Sequence, residues 1–130
     1  MNAGLDRGRV IRIALLIAAV SALAACEKDK PDWRQAVIAD AEGQVRARLG
    51  DPGAEFSAVQ VTGDSSSGQT CGIVHANPPA AAHGGSGRFI VYIDKAAGPF
   101  IELSVGIATI SQPQFEFQWE HDCLDEGYRP

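Results

Sequence analysis

The chain has 130 residues, a formal net charge of −5 and three cysteines. Residues 26–130 number 105 and hold 15 acidic against 8 basic side chains, a net charge of −7. An acidic chain of this kind is poorly suited to binding nucleic acid, or an anionic lipid surface, through its charge. The length of this part fits one small domain.

The first 25 residues have the three parts of a secretory signal. Residues 1–12 carry three arginines and one aspartate, and residues 13–25 contain no charged side chain. That apolar run has 13 residues, whereas a membrane-spanning helix needs about 20. Small residues close the run, as in a cleavable signal. We therefore predict a signal peptide at residues 1–25.

Cys26 follows this run directly, in the segment Leu23-Ala24-Ala25-Cys26. The segment resembles the lipobox of bacterial lipoproteins, in which the cysteine receives a lipid and becomes the first residue of the mature protein. The resemblance implies acylation of Cys26, with palmitate-type chains, and a place in the cell envelope facing the periplasm. Glu27 stands where aspartate commonly retains such proteins at the inner membrane, which favours the outer membrane. The alternative is ordinary cleavage after Ala24, with Cys26 left as a free thiol.

Residues 26–32 are predicted to form a polar tether, and residues 33–130 one folded domain. The first element is a helix at 33–49, capped by Asp32 and ended by Gly50. Apolar residues recur in it every fourth position, which predicts a single face packed on the core. These residues are Trp33, Val37, Ala41, Val45 and Leu49.

Four strands are predicted next, at 53–62, 70–76, 88–94 and 100–110. Residues 77–87 are rich in proline and glycine and are predicted to be a loop. The last element has two interpretations, since Phe115, Phe117 and Trp119 alternate as in a strand, while Phe115, Trp119 and Cys123 repeat every four residues as in a helix. Ser111 and Gln114 form a capping-box pattern, which favours a helix at 112–124. The predicted class is α+β: an N-terminal helix, an antiparallel sheet of about four strands, a C-terminal helix and one disulfide.

The disulfide prediction follows from the number of cysteines. An odd cysteine in an exported protein needs an explanation, and lipidation of Cys26 provides one. Cys71 and Cys123 then remain, and an oxidising compartment allows them to pair. The chain has no C-x-x-C motif, which favours a structural disulfide over a redox pair.

Three segments resemble a family of small exported bacterial proteins with no assigned activity. They are "RLGDPGAEF", "CGIVHAN" and the glycine cluster before "RFIVYID". The family has an Asp-Pro-x-Ser-Ala-x-Phe turn, a Cys-Gly-x-Val-Asn strand and a Gly-Gly-Tyr-x-Gly loop. Here His75 takes the asparagine place and Ser86 the tyrosine place. The resemblance implies the fold and an exported setting, and it implies no activity.

No sequence motif identifies a reaction, a metal or a cofactor. The spacing of His75, His83 and His121 matches no metal motif, and the serines near residue 65 lack a nucleophile elbow. The sequence therefore favours a non-enzymatic binding or interaction module, anchored to the membrane at Cys26, that contacts an envelope protein or ligand and no nucleic acid. The alternative is a small envelope enzyme or metal-handling protein that uses His75 and His121 near Cys71 and Cys123.

Overall fold

A computed structural model describes residues 32–78, 85–102 and 110–130. The predicted signal peptide, Cys26 and the tether up to residue 31 lie outside these residues, as does His83. In the chain, one helix precedes and one follows a four-stranded antiparallel sheet with strand order β1-β2-β3-β4, which confirms the predicted α+β class. The elements are α1 (Trp33–Leu49), β1 (Glu55–Thr62), β2 (Gln69–Ala76), β3 (Gly85–Tyr92), β4 (Phe100–Ile101), α2 (Gln112–Gln118) and a π-helical segment (Trp119–Leu124).

Helix α1 begins and ends at the residues that the sequence indicates. The Asp32 carboxylate accepts a hydrogen bond from the backbone N–H of Arg34 at 3.2 Å, which satisfies one of the free donors at the start. Gly50 has a φ of +64°, a left-handed conformation that glycine adopts without a steric penalty. Arg46 and Arg48 lie in the last turn, at the negative end of the helix dipole.

The predicted core stripe of α1 is only partly correct. Ala41, Val45 and Leu49 are buried, but Trp33 and Val37 are partly exposed and belong to neither hydrophobic cluster of the described residues. Each residue of an α-helix turns by about 100°, so a strict four-residue repeat drifts by about 40° at every step. Over the four steps between Trp33 and Leu49 the drift reaches about 160°. The stripe therefore leaves the core face towards the start of the helix.

The sheet has two apolar faces, since side chains along a strand alternate between them. Helix α1 packs on one face, which includes Val74 and Phe89. The C-terminal helix, defined here as residues 112–124, packs on the other face, which includes Cys71 and Ile90. The buried members of the first cluster are Ala41, Val45, Leu49, Ala54, Val74, Ala76, Phe89, Val91 and Ile101; those of the second are Cys71, Ile90, Phe115, Trp119, Cys123 and Tyr128.

Gly72 makes room for the largest side chain of the first cluster. A Cβ atom at this position would lie 2.8 Å from Cε1 of Phe89 and 3.1 Å from Cγ2 of Val59. Phe89 lies opposite Gly72 on β3, and its ring meets Phe56 edge to face with centroids 5.5 Å apart. The glycine of the Cys-Gly pair therefore lets an aromatic ring lie over the strand.

The glycine-rich stretch before β3 is strand where a loop was predicted. Gly85, Ser86 and Gly87 pair with residues of β2, so β3 begins three residues earlier than the predicted 88–94. The ladder is made by backbone groups and needs no side chain, so the partner strand extends the pairing into a weak strand sequence. The predicted strand 100–110 is observed at Phe100–Ile101, and residues 103–109 lie outside the described part of the chain.

The C-terminal element is a helix, which confirms the helical interpretation of 112–124. Ser111 and Gln114 form the reciprocal capping box, and Pro113 lies in the first turn. From Trp119 to Leu124 the helix is π-helical, with a hydrogen bond from the Asp125 N–H to the Glu120 carbonyl at 2.9 Å. The helix therefore widens where its buried residues meet the sheet.

Covalent and polar contacts fix this helix to the sheet. Cys123 forms a disulfide with Cys71 of β2, as predicted. The backbone carbonyl of Asp122 accepts hydrogen bonds from Thr62 Oγ1 at 3.1 Å and from the side-chain amide of Gln69. These two side chains satisfy a carbonyl in the last helical turn that lacks a partner within the helix.

The C-terminal tail closes the edge of the sheet at a bulge in β1. The register of β1 shifts between Ser57 and Gln60, and Ala58 there has a φ of +50°. The hydroxyl of Tyr128, which is fully buried, donates to the Ala58 carbonyl at 2.8 Å. Two hydrogen bonds join Gln60 to the backbone of Arg129. The Gln60 side-chain amide donates to the Arg129 carbonyl, and the Arg129 N–H donates to the Gln60 side-chain oxygen.

Asp51 joins the end of α1 to the end of β2. Its carboxylate accepts hydrogen bonds from the backbone N–H of Gly53 at 3.0 Å and from that of Asn77 at 2.8 Å. The motif segments "RLGDPGAEF" and "CGIVHAN" meet at this carboxylate. Their role at this contact is to hold the fold together.

Candidate functional site

One half of the sheet face that carries the C-terminal helix is open and polar. Residues two apart on a strand share a face, so Ile73 and His75 follow Cys71 on that face, and Arg88 and Ser86 precede Ile90. The cross-strand pairs Ile73–Arg88 and His75–Ser86 lie beyond the buried half. We call this surface the polar face; it consists of Ser57, Ile73, His75, Ser86, Arg88 and Glu102.

His75 lies at the centre of the polar face, with one strand on either side. Its Nε2 atom lies 2.9 Å from the hydroxyl of Ser57 on β1, and its Nδ1 atom lies 2.6 Å from the hydroxyl of Ser86 on β3. A neutral imidazole donates through one nitrogen and accepts through the other, so one serine accepts from the ring while the other donates to it. The ring is held in place although all three side chains are exposed.

Arg88 connects the polar face to the C-terminal helix. Its Nη2 donates to Glu102 Oε1 at 2.8 Å, and its Nη1 donates to Glu116 Oε2 at 3.2 Å. The guanidinium carbon lies 5.3 Å from the ring centroid of Phe115 and 5.2 Å from that of Trp119, within cation–π range. The donors of Arg88 are thus committed to two carboxylates.

The titration of this network follows from its contacts. Hydrogen bonds from Arg88 hold the pKa of Glu102 and the pKa of Glu116 below their ordinary values. The hydrogen bond to Glu102 raises the pKa of Arg88, against the opposing effect of its partial burial. All three groups are therefore charged at neutral pH, with one more negative charge than positive.

A shallow cavity of about 260 Å³ opens beside Ser86 and Arg88. Ile73 forms its apolar floor, and the backbone of Gly87 and the side chain of Glu102 complete it. The cavity offers a hydroxyl, a carboxylate and a small apolar surface next to the His75 imidazole. Such a combination can bind a small polar group and can transfer a proton through His75.

The structure places the predicted site residues in separate regions. Cys71 and Cys123 are joined and fully buried, so neither provides a thiolate for a metal or a nucleophile. His75 lies on the polar face, whereas His121 lies on the exposed side of the C-terminal helix, with its ring 4.3 Å from that of Phe117 and its Nδ1 3.2 Å from Asp125. The structure therefore does not bring His75 and His121 together beside two free thiols. Cys26 lies outside the described residues.

Two further features concern the described residues alone. They contain no group of three or more His, Cys, Asp or Glu side chains that could hold a metal ion. No helix among them is long and apolar enough to cross a membrane.

Ser57, Ser86 and Arg88 were not predicted as site residues from the sequence. Ser57 and Ser86 gain their place from strand register, which brings them to the two sides of His75. The sequence offers one signal, since His75 and Ser86 are two of the positions at which the chain departs from the resembling motifs. The structure shows that these two positions are cross-strand partners.

Comparison of the chain with protein-family models, with curated proteins and with solved structures returned no match in any of the three.

Proposed function

We propose that this chain is a lipid-anchored bacterial cell-envelope protein whose folded domain is a binding module. One observation carries the anchor: Cys26 follows a basic and then an apolar segment directly, and only six residues separate it from Trp33, where α1 begins. The Cys71–Cys123 disulfide supports the same setting, because disulfides persist in oxidising compartments such as the periplasm. The outer membrane is the proposed site of the anchor, since Glu27 replaces the retaining aspartate.

The polar face is the proposed binding surface of the module. Arg88 is neutralised by Glu102 and Glu116, so this surface has no free cation to attract an anionic ligand. Ser57, His75 and Ser86 offer hydroxyl and imidazole groups that both donate and accept hydrogen bonds. The network carries one excess negative charge, so the ligand class that fits is an uncharged or cationic polar group, presented by a small molecule or by an envelope protein.

The anchor is tested by intact-mass analysis of the full chain expressed in a bacterial envelope. We expect a mature protein that starts at Cys26 and carries acyl chains, and a Cys26→Ser variant that is released from membranes. A mature protein of unmodified mass, found outside the membrane fraction, contradicts the anchor.

The binding surface is tested by site-specific photo-crosslinking in the envelope. A photoreactive residue at Ser86 is compared with one at Gln35, which is exposed on α1 and lies far along the chain from the polar face. We expect a discrete crosslinked product at position 86 that a His75→Ala variant weakens. Equal crosslinking at both positions, or none at position 86, contradicts the polar face as the binding surface.

One observation favours a second candidate function, a small hydrolase that uses His75. A serine hydroxyl within hydrogen-bond reach of a histidine, with the opposite ring nitrogen held by a third group, is the arrangement of an activated nucleophile. Ser86 is the candidate nucleophile, because it lines the cavity and Ser57 does not. In this role Ser86 would attack an ester carbonyl while His75 takes its proton and returns it to the departing alcohol. Water would then cleave the acyl-Ser86 ester, with His75 taking a proton from the water and returning it to Ser86 as the carboxylic acid leaves.

Turnover of an activated acetate ester separates the two candidates. The hydrolase candidate requires a burst of product that Ser86→Ala and His75→Ala both abolish and that Ser57→Ala weakens, because Ser57 holds the opposite ring nitrogen. Ester cleavage that is equal in wild type and Ser86→Ala excludes a hydrolase centred on Ser86, and leaves the binding module as the function.

A further inference from the structure

The first two turns of α1 carry an apolar side that lies outside both hydrophobic clusters of the described residues. Trp33 and Val37 lie about 40° apart around the helix, and Trp33 lies about 160° from Leu49 in the core. Both side chains are partly exposed, and neither belongs to a hydrophobic cluster of the described residues. Tryptophan is enriched at membrane–water interfaces, where its ring contacts acyl chains and its N–H contacts water.

The tether limits how far this side of α1 can move from the lipid attachment point. Seven residues of chain, from Cys26 to Trp33, span at most about 24 Å when fully extended. A short linker gives the groups at its ends an effective concentration in the millimolar range. A surface with weak intrinsic affinity for lipid therefore stays bound when it is tethered this closely.

The local charge allows this approach. Residues 27–34 contain three acidic and three basic side chains, so this end of the domain is neutral although the chain as a whole is acidic. The Arg34 guanidinium lies 4.6 Å from the Trp33 ring centroid, which places a cation next to the tryptophan. Asp40 lies about 20° from Trp33 around the helix, and its Oδ2 lies 3.7 Å from Lys95 Nζ, so a cation offsets its charge on this side.

From these observations we infer that the side of α1 formed by Trp33 and Val37 rests on the lipid bilayer that holds the anchor. The inference depends on the proposed lipidation of Cys26. It adds a second contact to the anchor and fixes which end of the domain faces the membrane. The polar face and the C-terminal helix then remain free to meet a partner from the periplasm.

The two tryptophans of the chain make a direct test possible. The acylated full-length mature protein is reconstituted in uncharged phosphatidylcholine vesicles whose acyl chains are brominated and quench nearby tryptophan. Trp119 is 6% exposed and lies in the second cluster, so it reports the background. We expect a severalfold larger loss of emission in wild type than in Trp33→Phe, which retains Trp119 alone.

A matched pair of variants examines the surface itself. Val37→Glu places a charge on the proposed bilayer side and should remove most of the quenching of Trp33. Gln35→Glu places the same charge on an exposed position about 160° further round the helix from Val37 and should leave the quenching unchanged.

Each outcome either supports or overturns the inference. Acylated protein in which Trp33 is no more quenched than Trp119 overturns docking and leaves the anchor intact. Equal effects of the two glutamate variants overturn the assigned side of α1. Protein that carries no acyl chains overturns the anchor and this inference together, and the mass of the same sample identifies that case.

Discussion

Reduction of the Cys71–Cys123 disulfide should destabilise the domain more than any single side-chain change considered for this fold. The cross-link closes a loop with a sequence separation of 52 residues. In the chain-entropy model a loop of this length contributes about 4 kcal/mol to the free energy of unfolding at 25 °C. For a domain of about 100 residues, each kcal/mol corresponds to a shift in Tm of about 4–8 °C. We therefore expect reduction to lower Tm by about 15–30 °C.

The assay compares two ways of removing the bond. Thermal unfolding is followed by circular dichroism in a Cys26→Ser background, with and without a phosphine reductant, and in a Cys71→Ala/Cys123→Ala variant. Reduction keeps both sulfur atoms in the second cluster, whereas the alanine variant also removes their buried volume. The reduced protein should therefore lose only the stabilisation that comes from closing the loop, and the alanine variant should be less stable still.

A reduced protein whose Tm falls by only a few degrees would refute this reasoning. In that case residual structure would already restrict the unfolded chain without the cross-link, or the other contacts of the C-terminal helix would dominate the stability of the folded domain. The comparison with the alanine variant would then show how much of the effect comes from packing around Cys71 and Cys123.

The remaining predictions concern single positions in the core, the tail and the ion-pair network. Gly72→Ala should lower the free energy of unfolding, measured in urea, by about 1–3 kcal/mol, because Phe89 must move to make room for the new Cβ. Gly43→Ala on α1 should raise it by about 0.5–1 kcal/mol, because the new Cβ meets nothing within 4 Å. Equal effects of these two alanines would contradict the packing argument. Tyr128→Phe should cost about 1–3 kcal/mol by the same measurement, because it leaves the carbonyl in the β1 bulge without its donor; an unchanged urea midpoint would contradict this role. The pKa of Glu102 is lowered from 4.5, so its contribution to stability is complete above that pH and is lost as pH falls through the lowered value. In Glu102→Gln, Tm should fall less between pH 7 and pH 3 than it does in wild type. An equal fall of Tm in the two proteins would contradict the pairing of Glu102 with Arg88.

The elements that could be predicted from sequence are those whose signals are local. Asp32 and Gly50 mark the ends of α1, and Ser111 with Gln114 marks the start of the C-terminal helix; the structure confirms all of these. The cysteine pair was also predictable, because only two cysteines remain once Cys26 is assigned to the lipid.

The elements that could not be predicted depend on contacts between distant parts of the chain. The segment Gly85–Gly87 has a weak strand sequence and is a strand because β2 pairs with it. The exit of Trp33 from the core face follows from the drift between a four-residue repeat and a helical turn, which a count of apolar positions does not reveal.

The candidate site depends even more on contacts between distant parts of the chain. His75 could be singled out from the sequence because it is a histidine, but its two partners are serines that lie 18 residues before it and 11 residues after it in the chain. No sequence motif marks Arg88 as a site residue, because its hydrogen bonds go to Glu102 on the next strand and to Glu116 on a helix. Strand register creates both arrangements, and a single sequence does not encode register in any short motif.

The attachment of the tail to the bulge in β1 has a consequence for the proposed export of the chain. Cys123 and Tyr128 complete the second cluster and lie at the far end of the sequence from the proposed signal. While the chain is being synthesised, the sheet lacks its covering helix, its cross-link and its edge closure until these residues appear. Under the proposed export the chain crosses the membrane unfolded, and a sheet that lacks residues 112–128 has neither its covering helix nor its cross-link.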